Sequence, residues 1–369
     1  MLLYKAGKCR IVAIYSRPPI RKLIMFQSYT IKDIAKALGL STSTVSRALS
    51  GSYKIGADTI KLVTEYAEKV NYRPNPIALS LKAHKSHSIG VVVCEVANNY
   101  FSQAINGIES VAYNSGYHVI ITQTHESAAR EQVNIQHLLS RHVDGLLVSL
   151  SAETTDVSFY QELKEKGLPI VFFDRIVPGI DTHKVYIDNF KAAFDATELL
   201  INNGFKKIAH ITNSSNLLIS RERLKGYMAA LEKHQIAFEP DYLRYCDHGG
   251  MLIHELETAI DELLTLPNRP DALFTTNDRI TTGCLPVLKK RGIKVPDDMA
   301  LAGFTNSDFA EWFAPSLTVV RQPAFEMGKL ATEILIKTIE SKRPIEDYIT
   351  HQFETELISR ASSLKAISV

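Results

Sequence analysis

Leu40-Ser41-Thr42-Ser43-Thr44-Val45-Ser46-Arg47-Ala48-Leu49 is the stretch whose reading decides the fold. Val45, Ala48 and Leu49 fall at helical spacing and form an inward face, which turns Thr42, Ser43, Ser46 and Arg47 outward. Ser41 is a good N-cap, since its hydroxyl can accept from an N–H of the first turn that has no helical partner. Just upstream, Thr30-Ile31-Lys32-Asp33 has the form of a capping box, with Asp33 a shorter stand-in for glutamate. Ile31, Ile34, Ala35 and Leu38 then supply one apolar face, and Gly39 can take the left-handed conformation that ends a helix. A third helix is predicted from about Asp58 to Val70, with Ile60, Val63, Ala67 and Val70 closing a small core. Hydroxyls and one arginine on a single exposed helical face suit insertion into the major groove of DNA.

A plain helical hairpin would read the same way up to this point, and the next segment separates the two. Asn71-Tyr72-Arg73-Pro74-Asn75-Pro76-Ile77-Ala78-Leu79-Ser80-Leu81-Lys82 carries two prolines, which disfavour helix just before them and suit a helix start just after. It then offers one short apolar turn with no core of its own, a piece expected to be helical only against a partner.

Thr30 to Lys82 resembles the headpiece and hinge of the LacI/GalR (lactose-repressor) family of bacterial regulators. Thr-Ile-Lys-Asp-Ile-Ala, Val-Ser-Arg-Ala-Leu, Asn-Tyr-Arg-Pro-Asn and Ala-Leu-Ser-Leu-Lys carry the likeness, which continues through the rest of the chain. The resemblance implies that Thr42, Ser43 and Arg47 meet base edges, with Arg47 able to pair with guanine in bidentate fashion. It implies that Leu81 is wedged into the minor groove, unstacking a base step and kinking the duplex. Ser41, Ser46, Arg73 and Lys82 are candidates for phosphate or groove-edge contacts. Two such heads in a homodimer would read a palindromic operator.

Charge is distributed accordingly. The net charge is only +2, yet up to Ser88 there are 15 Lys/Arg against 4 Asp/Glu, leaving 27 against 36 in the remainder. A basic head on an acidic body attracts phosphate at one end only. At 369 residues the chain is too long for one ordinary core. The four cysteines, Cys9, Cys94, Cys246 and Cys284, make no CxxC pair and no metal-ligand spacing, so they read as reduced thiols of a cytosolic protein. No apolar run approaches the roughly 18 residues of a membrane span. Residues 1–27 read as an extension: Ile11-Val12-Ala13-Ile14-Tyr15 is short for a signal-peptide core, and Met25 stands just before the first helix as a candidate start. A flexible DNA-binding arm is the alternative.

Beyond residues 28–73 (head) and 74–87 (hinge and linker), residues 88–361 alternate apolar strands with amphipathic helices, the pattern of parallel sheets covered on both faces. An α + α/β protein is therefore expected. The body resembles the two-lobed periplasmic-binding-protein fold that the family uses as its effector domain. Crossings between lobes are expected near Tyr186–Asn189, Val320–Pro323 and Thr350–Phe353. They give an N-lobe of 88–187 and 323–349, a C-lobe of 188–322 and 350–361, and a tail of 362–369.

In open α/β sheets ligands bind beyond the C-terminal ends of the strands. Those ends carry Asn98, Tyr100 and Phe101, then Asp174 and Arg175, then Asn277 and Asp278, then Thr305, and finally Gln322. Asp188, Arg221, Arg223 and His248 complete the candidate effector set, Arg223 standing where the family places an effector-contacting arginine. Carboxylates, amides and arginine beside aromatic rings suit a polyhydroxylated ligand. Many relatives have aspartate where this chain has Thr305, which leaves the sugar class open. A purine or another metabolite is the alternative effector. An enzyme is not expected: no HExxH, GxSxG or Walker loop occurs, and no cofactor or metal is expected either. Asp174 and Asp278 could be drawn as the paired carboxylates of a glycosidase, but a binding cleft uses the same residues as acceptors.

Overall fold

The computed structural model describes residues 29–52, 54–73, 85–341 and 347–365. The chain divides into two units, one ending at Lys82 and the other beginning at Ala83. In the first unit α1 spans Ile31–Leu38, α2 Thr42–Leu49 and α3 Ala57–Lys69. The capping box forms: Thr30 Oγ1 accepts from Asp33 N at 3.3 Å, and Thr30 N donates to Asp33 Oδ2 at 2.9 Å. Gly39, at φ 64°, ends α1 in the left-handed region that glycine enters without a Cβ penalty. Ile34, Ala35, Val45, Ala48, Val63 and Ala67 are the buried core of this unit. Leu81 and Lys82 lie outside the described residues.

The second unit begins β1 (Ser88–Val93), α4 (Asn99–Asn114), β2 (His118–Gln123), α5 (Ala128–Ser140), β3 (Gly145–Val148), α6 (Ser158–Glu165), β4 (Ile170–Phe173) and β5 (His183–Ile187). The chain then passes into the second lobe with α7 (Asn189–Asn202), β6 (Ile208–Asn213), α8 (Leu218–Lys233), β7 (Leu243–Cys246), α9 (Ile253–Thr265) and β8 (Ala272–Thr275). That lobe continues through α10 (Asp278–Lys290), β9 (Ala300–Phe304) and β10 (Thr318–Arg321). Helix α11 (Ala324–Glu340) returns to the first lobe and packs on α4. The approach is backbone to backbone: a Cβ on Gly107 would collide with the Phe325 carbonyl, and one on Gly328 with the Ala104 carbonyl.

The chain ends with β11 (Thr350–Phe353) and β12 (Glu356–Ile358). Two six-stranded sheets result, ordered β11-β5-β4-β3-β1-β2 and β12-β10-β9-β8-β6-β7. Pairing is parallel except that β12 runs antiparallel to β10. The inner strands β1, β3, β4, β6, β8 and β9 are almost wholly buried, as expected of a sheet covered on both faces.

Three details differ from the reading of the sequence. Thr350–Phe353 pairs in parallel with β5, from Thr350 opposite Lys184 to Phe353 opposite Ile187, so it belongs to the first sheet. The chain changes lobe at Glu354–Thr355, and the second lobe's last segment starts at Glu356. The stretch is polar and mostly exposed, so nothing local says which sheet edge it will cover. Ser362 and Ser363 are not a loose tail: both are fully buried. Ser362 Oγ donates to the Leu301 carbonyl at 2.6 Å, and Ser363 Oγ lies 2.6 Å from Thr318 Oγ1. Finally, Arg221 and Arg223, which the sequence reading takes to open a helix, lie inside one that starts at Leu218, with Arg223 in its second turn.

Candidate DNA-reading helix and effector cleft

In the first unit Thr42, Ser43 and Arg47 are exposed on α2, and Ser46 is half-buried. Arg47 has no ion-pair partner among the described residues. Ser41 caps the helix, accepting from Thr44 N at 3.0 Å, and its Oγ also lies 2.8 Å from the hydroxyls of Ser43 and Thr44. The hydroxyl cluster is thus pre-ordered by the cap, with Thr42 and Arg47 projecting beside it. Arg73 is exposed at the end of the described part of the unit.

In the second unit the strand ends of both lobes converge on one space. Asn98, Tyr100, Phe101, Asp174, Arg175, Arg223, His248, Asn277, Asp278 and Gln322 line it. Its volume is about 50 Å³, far below the roughly 300–1,000 Å³ of ordinary small-molecule sites. The lobes are closed on each other, and their polar groups satisfy one another. Asn99 Nδ2 donates to Asp278 Oδ2 at 3.0 Å, and Arg279 donates from Nε and Nη2 to the two carboxylate oxygens of Glu95. Gln103 and Asn306 exchange bonds, Gln103 Nε2 to the Asn306 carbonyl at 3.0 Å and Asn306 Nδ2 to Gln103 Oε1 at 2.7 Å.

Arg223 is the centre of the site and is only 3% exposed. Its Nε donates to Asn189 Oδ1 at 2.9 Å, one Nη to the Thr276 carbonyl, and the other to Gln322 Oε1 at 3.4 Å. The guanidinium lies 3.8 Å from the centre of the Phe304 ring. Burial lowers its pKa to about 10, against the favourable charge of Asp174. Asp174 stands at φ 61°, a left-handed position for a residue with a Cβ, and accepts from Ser149 Oγ at 3.3 Å. Burial raises its carboxyl above the usual range, although Arg175 and Arg223 both pull it down.

Arg175 is committed elsewhere. Its Nη1 and Nη2 donate to Glu126 at 2.6 and 2.8 Å, and Nη1 also to the Leu150 carbonyl at 3.0 Å. Its Nε is buried without a hydrogen-bond partner among the described residues. Glu126, at φ 65°, also accepts from Ala152 N at 2.8 Å. Burial alone would raise the Glu126 carboxyl, but Arg175 and these donors hold it below its usual value.

Other candidates fall outside the space. Asp188 caps α7, accepting from Lys191 N at 2.9 Å. Arg221 is exposed and tied to the carbonyls of Ser215 and Asn216 at 2.9 and 2.7 Å. Thr305 does not line the space; its hydroxyl donates to Asp278 Oδ1, so it orients a carboxylate. Asn98 and Asn277 line the space while capping α4 and α10. His248 sits at its edge, its Nδ1 2.6 Å from Glu255 Oε1, and that bond raises its pKa. Reading the sequence missed Glu95, Glu126, Asn213 and Arg279, which also line the space. The strand-end rule that found Asp174 could have found Glu126 and Asn213, which follow or close β2 and β6. Among the described residues no cluster of three or more His, Cys, Asp and Glu could hold a metal ion. No helix there is long and apolar enough to cross a membrane.

A helix-turn-helix head followed by a two-lobed body with a polar cleft defines a DNA-binding regulator that answers to a small molecule. Residues 30–75 match the family model described as bacterial regulatory proteins, lacI family, and residues 86–357 match that of periplasmic binding proteins and the sugar binding domain of the LacI family. The HTH-type transcriptional repressor CytR of Escherichia coli K12 is 32% identical over 334 residues, 90% of this chain and 96% of that protein. The ribose operon repressor of Haemophilus influenzae is 32% identical over 337 residues, 90% of this chain and 98% of its own. Among solved structures, the transcriptional regulator CelR–cellobiose complex superposes with a TM-score of 0.67 at 27% identity, covering 90% of this chain and 99% of that one. The chain belongs to the LacI family of bacterial regulatory proteins. It is a regulator and not an enzyme, and its partners are operator DNA and a small-molecule effector.

Proposed function

We propose that this protein is a cytoplasmic, nucleoid-associated repressor that binds a palindromic operator as a homodimer and is controlled by a neutral carbohydrate. Thr42, Ser43 and Arg47 read bases, with Ser46, Arg73 and Lys82 near the backbone and Leu81 at the minor groove. The effector sits among Asn98, Tyr100, Phe101, Asp174, Arg223, Asn277, Asp278 and Gln322, with His248 at the rim. Arg175 and Thr305 act from behind this set, through Glu126 and Asp278. Asp188 and Arg221, tied to a helix cap and a loop, take no part.

The observation that carries the sugar reading is how the cleft charges are paired. Among the described residues Arg175 is matched by Glu126, Arg279 by Glu95, and Arg223 by the nearby charge of Asp174. Asp278 has only neutral donors, Asn99 and Thr305. A cleft without a spare cation does not welcome phosphate or carboxylate, while acceptors held in place suit ligand hydroxyls. Two relatives have names that fit the carbohydrate reading, a ribose operon repressor and a cellobiose complex, while others are the repressors CytR and PurR, which keep the purine alternative open.

A thermal-shift screen of the full chain against neutral sugars, sugar phosphates and purines tests this. A neutral sugar at about 100 times its Kd should stabilise the protein by roughly 2.7 kcal/mol. The same sugar should change operator affinity in a gel shift. Stabilisation by purines or sugar phosphates alone would overturn the reading.

A further inference from the structure

The chain between the head and β1 is gripped by the second unit at Ser86 and His87. Asp144, at the foot of β3, accepts through Oδ1 from Ser86 N at 2.8 Å and Ser86 Oγ at 3.2 Å, and through Oδ2 from His87 N at 2.8 Å. Both carboxylate oxygens are thus spent on two successive residues of the linker. The His87 carbonyl accepts from His118 N at 2.7 Å, and the His87 ring lies 5.3 Å from that of the buried Tyr117. His87 stands at φ 51°, a left-handed position for a residue with a Cβ. Such strain persists only where the surrounding structure over-determines the conformation. Neither base reading nor effector binding by itself requires a linker held this firmly.

The strand that carries this clamp also reaches the cleft. β3 is buried along its whole length and is bonded to β1 on one side and β4 on the other. Its C-terminal end leads to Ser149, whose hydroxyl donates to Asp174 Oδ2 at 3.3 Å. Extended chain from residue 144 to residue 149, about 17 Å, therefore separates the linker clamp from the contact with the Asp174 carboxylate. A strand bonded along both edges moves only with its lobe. Charge-assisted bonds from a carboxylate at its foot oblige Ser86 and His87 to move with it.

We propose that Asp144 is a positioning residue for operator binding: it fastens the linker to the first lobe, so that a rotation of that lobe is delivered to the hinge and not absorbed as slack. Without the clamp, residues 85–87 join a longer, looser tether. The two heads of a dimer then have no fixed separation, and the second head engages DNA at a lower effective concentration. The proposal rests on the homodimer reading and adds the residue that sets the spacing of the half-sites.

The test uses the full chain and a palindromic duplex selected by the wild-type protein from a random library, with the spacer between half-sites kept, lengthened or shortened by one base pair. One base pair rotates a half-site by about 35°. Wild type should lose about tenfold or more in gel-shift affinity when the spacer changes, because fixed linkers cannot bring both heads to bear. Asp144→Asn turns one carboxylate oxygen into an N–H donor that faces a backbone N–H and breaks the clamp. It should bind the selected spacing about tenfold more weakly and treat all three spacers alike within about threefold. Its affinity for a single half-site and its thermal melt should match wild type; a merely structural role would lower the melt and leave the spacing preference sharp. Ser86→Pro removes the donors from the linker side and should give the same result. The double variant should be no worse than either single one, since both remove one contact. If Asp144→Asn does not fold, Ser86→Pro decides. A wild type indifferent to spacing, or a sharp preference that survives in a folded variant, would overturn the clamp and leave the homodimer standing. Sedimentation of wild type as a monomer on the selected duplex would overturn both.

Discussion

Replacing Glu126 by alanine should be among the most destabilising single substitutions in the body. Arg175 would lose both carboxylate bonds and remain buried, because Nη1 is still held by the Leu150 carbonyl. Breaking a buried pair by removing one partner costs about 3–5 kcal/mol, and Asp174 Oδ2, 3.9 Å from Arg175 Nε, offsets only part of the charge left behind. Ala152 N would lose its acceptor as well. Melting of a unit this size shifts by roughly 2–4 °C per kcal/mol, so a fall of roughly 6–20 °C is expected in a circular-dichroism melt at neutral pH. The sign of the pH dependence follows from the carboxyl being held below its usual value of 4.5. The contribution of Glu126 is then fully present above the unfolded-state value and is lost as pH falls through the folded-state value. Wild type and Glu126→Ala should therefore converge in acid. The double substitution Glu126→Met with Arg175→Met should recover much of the loss, because it leaves no lone charge. A loss under about 1 kcal/mol, or a double variant no better than the single one, would refute the assignment of this pair.

Three further outcomes are expected. His210, fully buried against the rings of Tyr227 and Phe274, has its pKa lowered to about 3 by burial. Its lowered pKa means that the unfolded chain protonates first, so stability should fall by about 1.4 kcal/mol per pH unit below roughly pH 6.5. His210→Phe should flatten that part of the profile in denaturant titrations at several pH values. Arg47→Ala should weaken operator binding by roughly 1–3 kcal/mol and relax selectivity at one position, read by gel shift across operator variants. Arg223→Gln should leave operator binding intact while abolishing its response to the effector. An unchanged response would remove Arg223 from the effector set.

The sequence by itself determined what depends on neighbours within a few residues. The capping box at Thr30 and Asp33, the stop at Gly39 and the cap at Ser41 each act over one helical turn, and all three are as the local pattern dictates. The strand–helix alternation of the body is equally legible, because strands buried on both faces read as unbroken apolar runs. The strand-end rule brought Asp174, Asp278 and Gln322 to one space, and the family resemblance brought Arg223, since β1, β4, β6, β8 and β10 have their C-terminal ends there.

Tertiary structure decided the partnerships. Glu126 and Arg175 are 49 residues apart, and no local signal says that one will neutralise the other. Thr305 was legible as a strand-end hydroxyl, but its role behind Asp278 depends on where a helix 27 residues away presents its carboxylate. Asp188 and Arg221 carry the right chemistry and point elsewhere, because a helix cap and two loop carbonyls claim them first. Thr350–Phe353 has too few apolar residues to choose a sheet, and the open edge of β5 chose it. Local sequence encodes torsional preference and periodic burial; long-range pairing is settled only when the folded chain brings a donor to an acceptor.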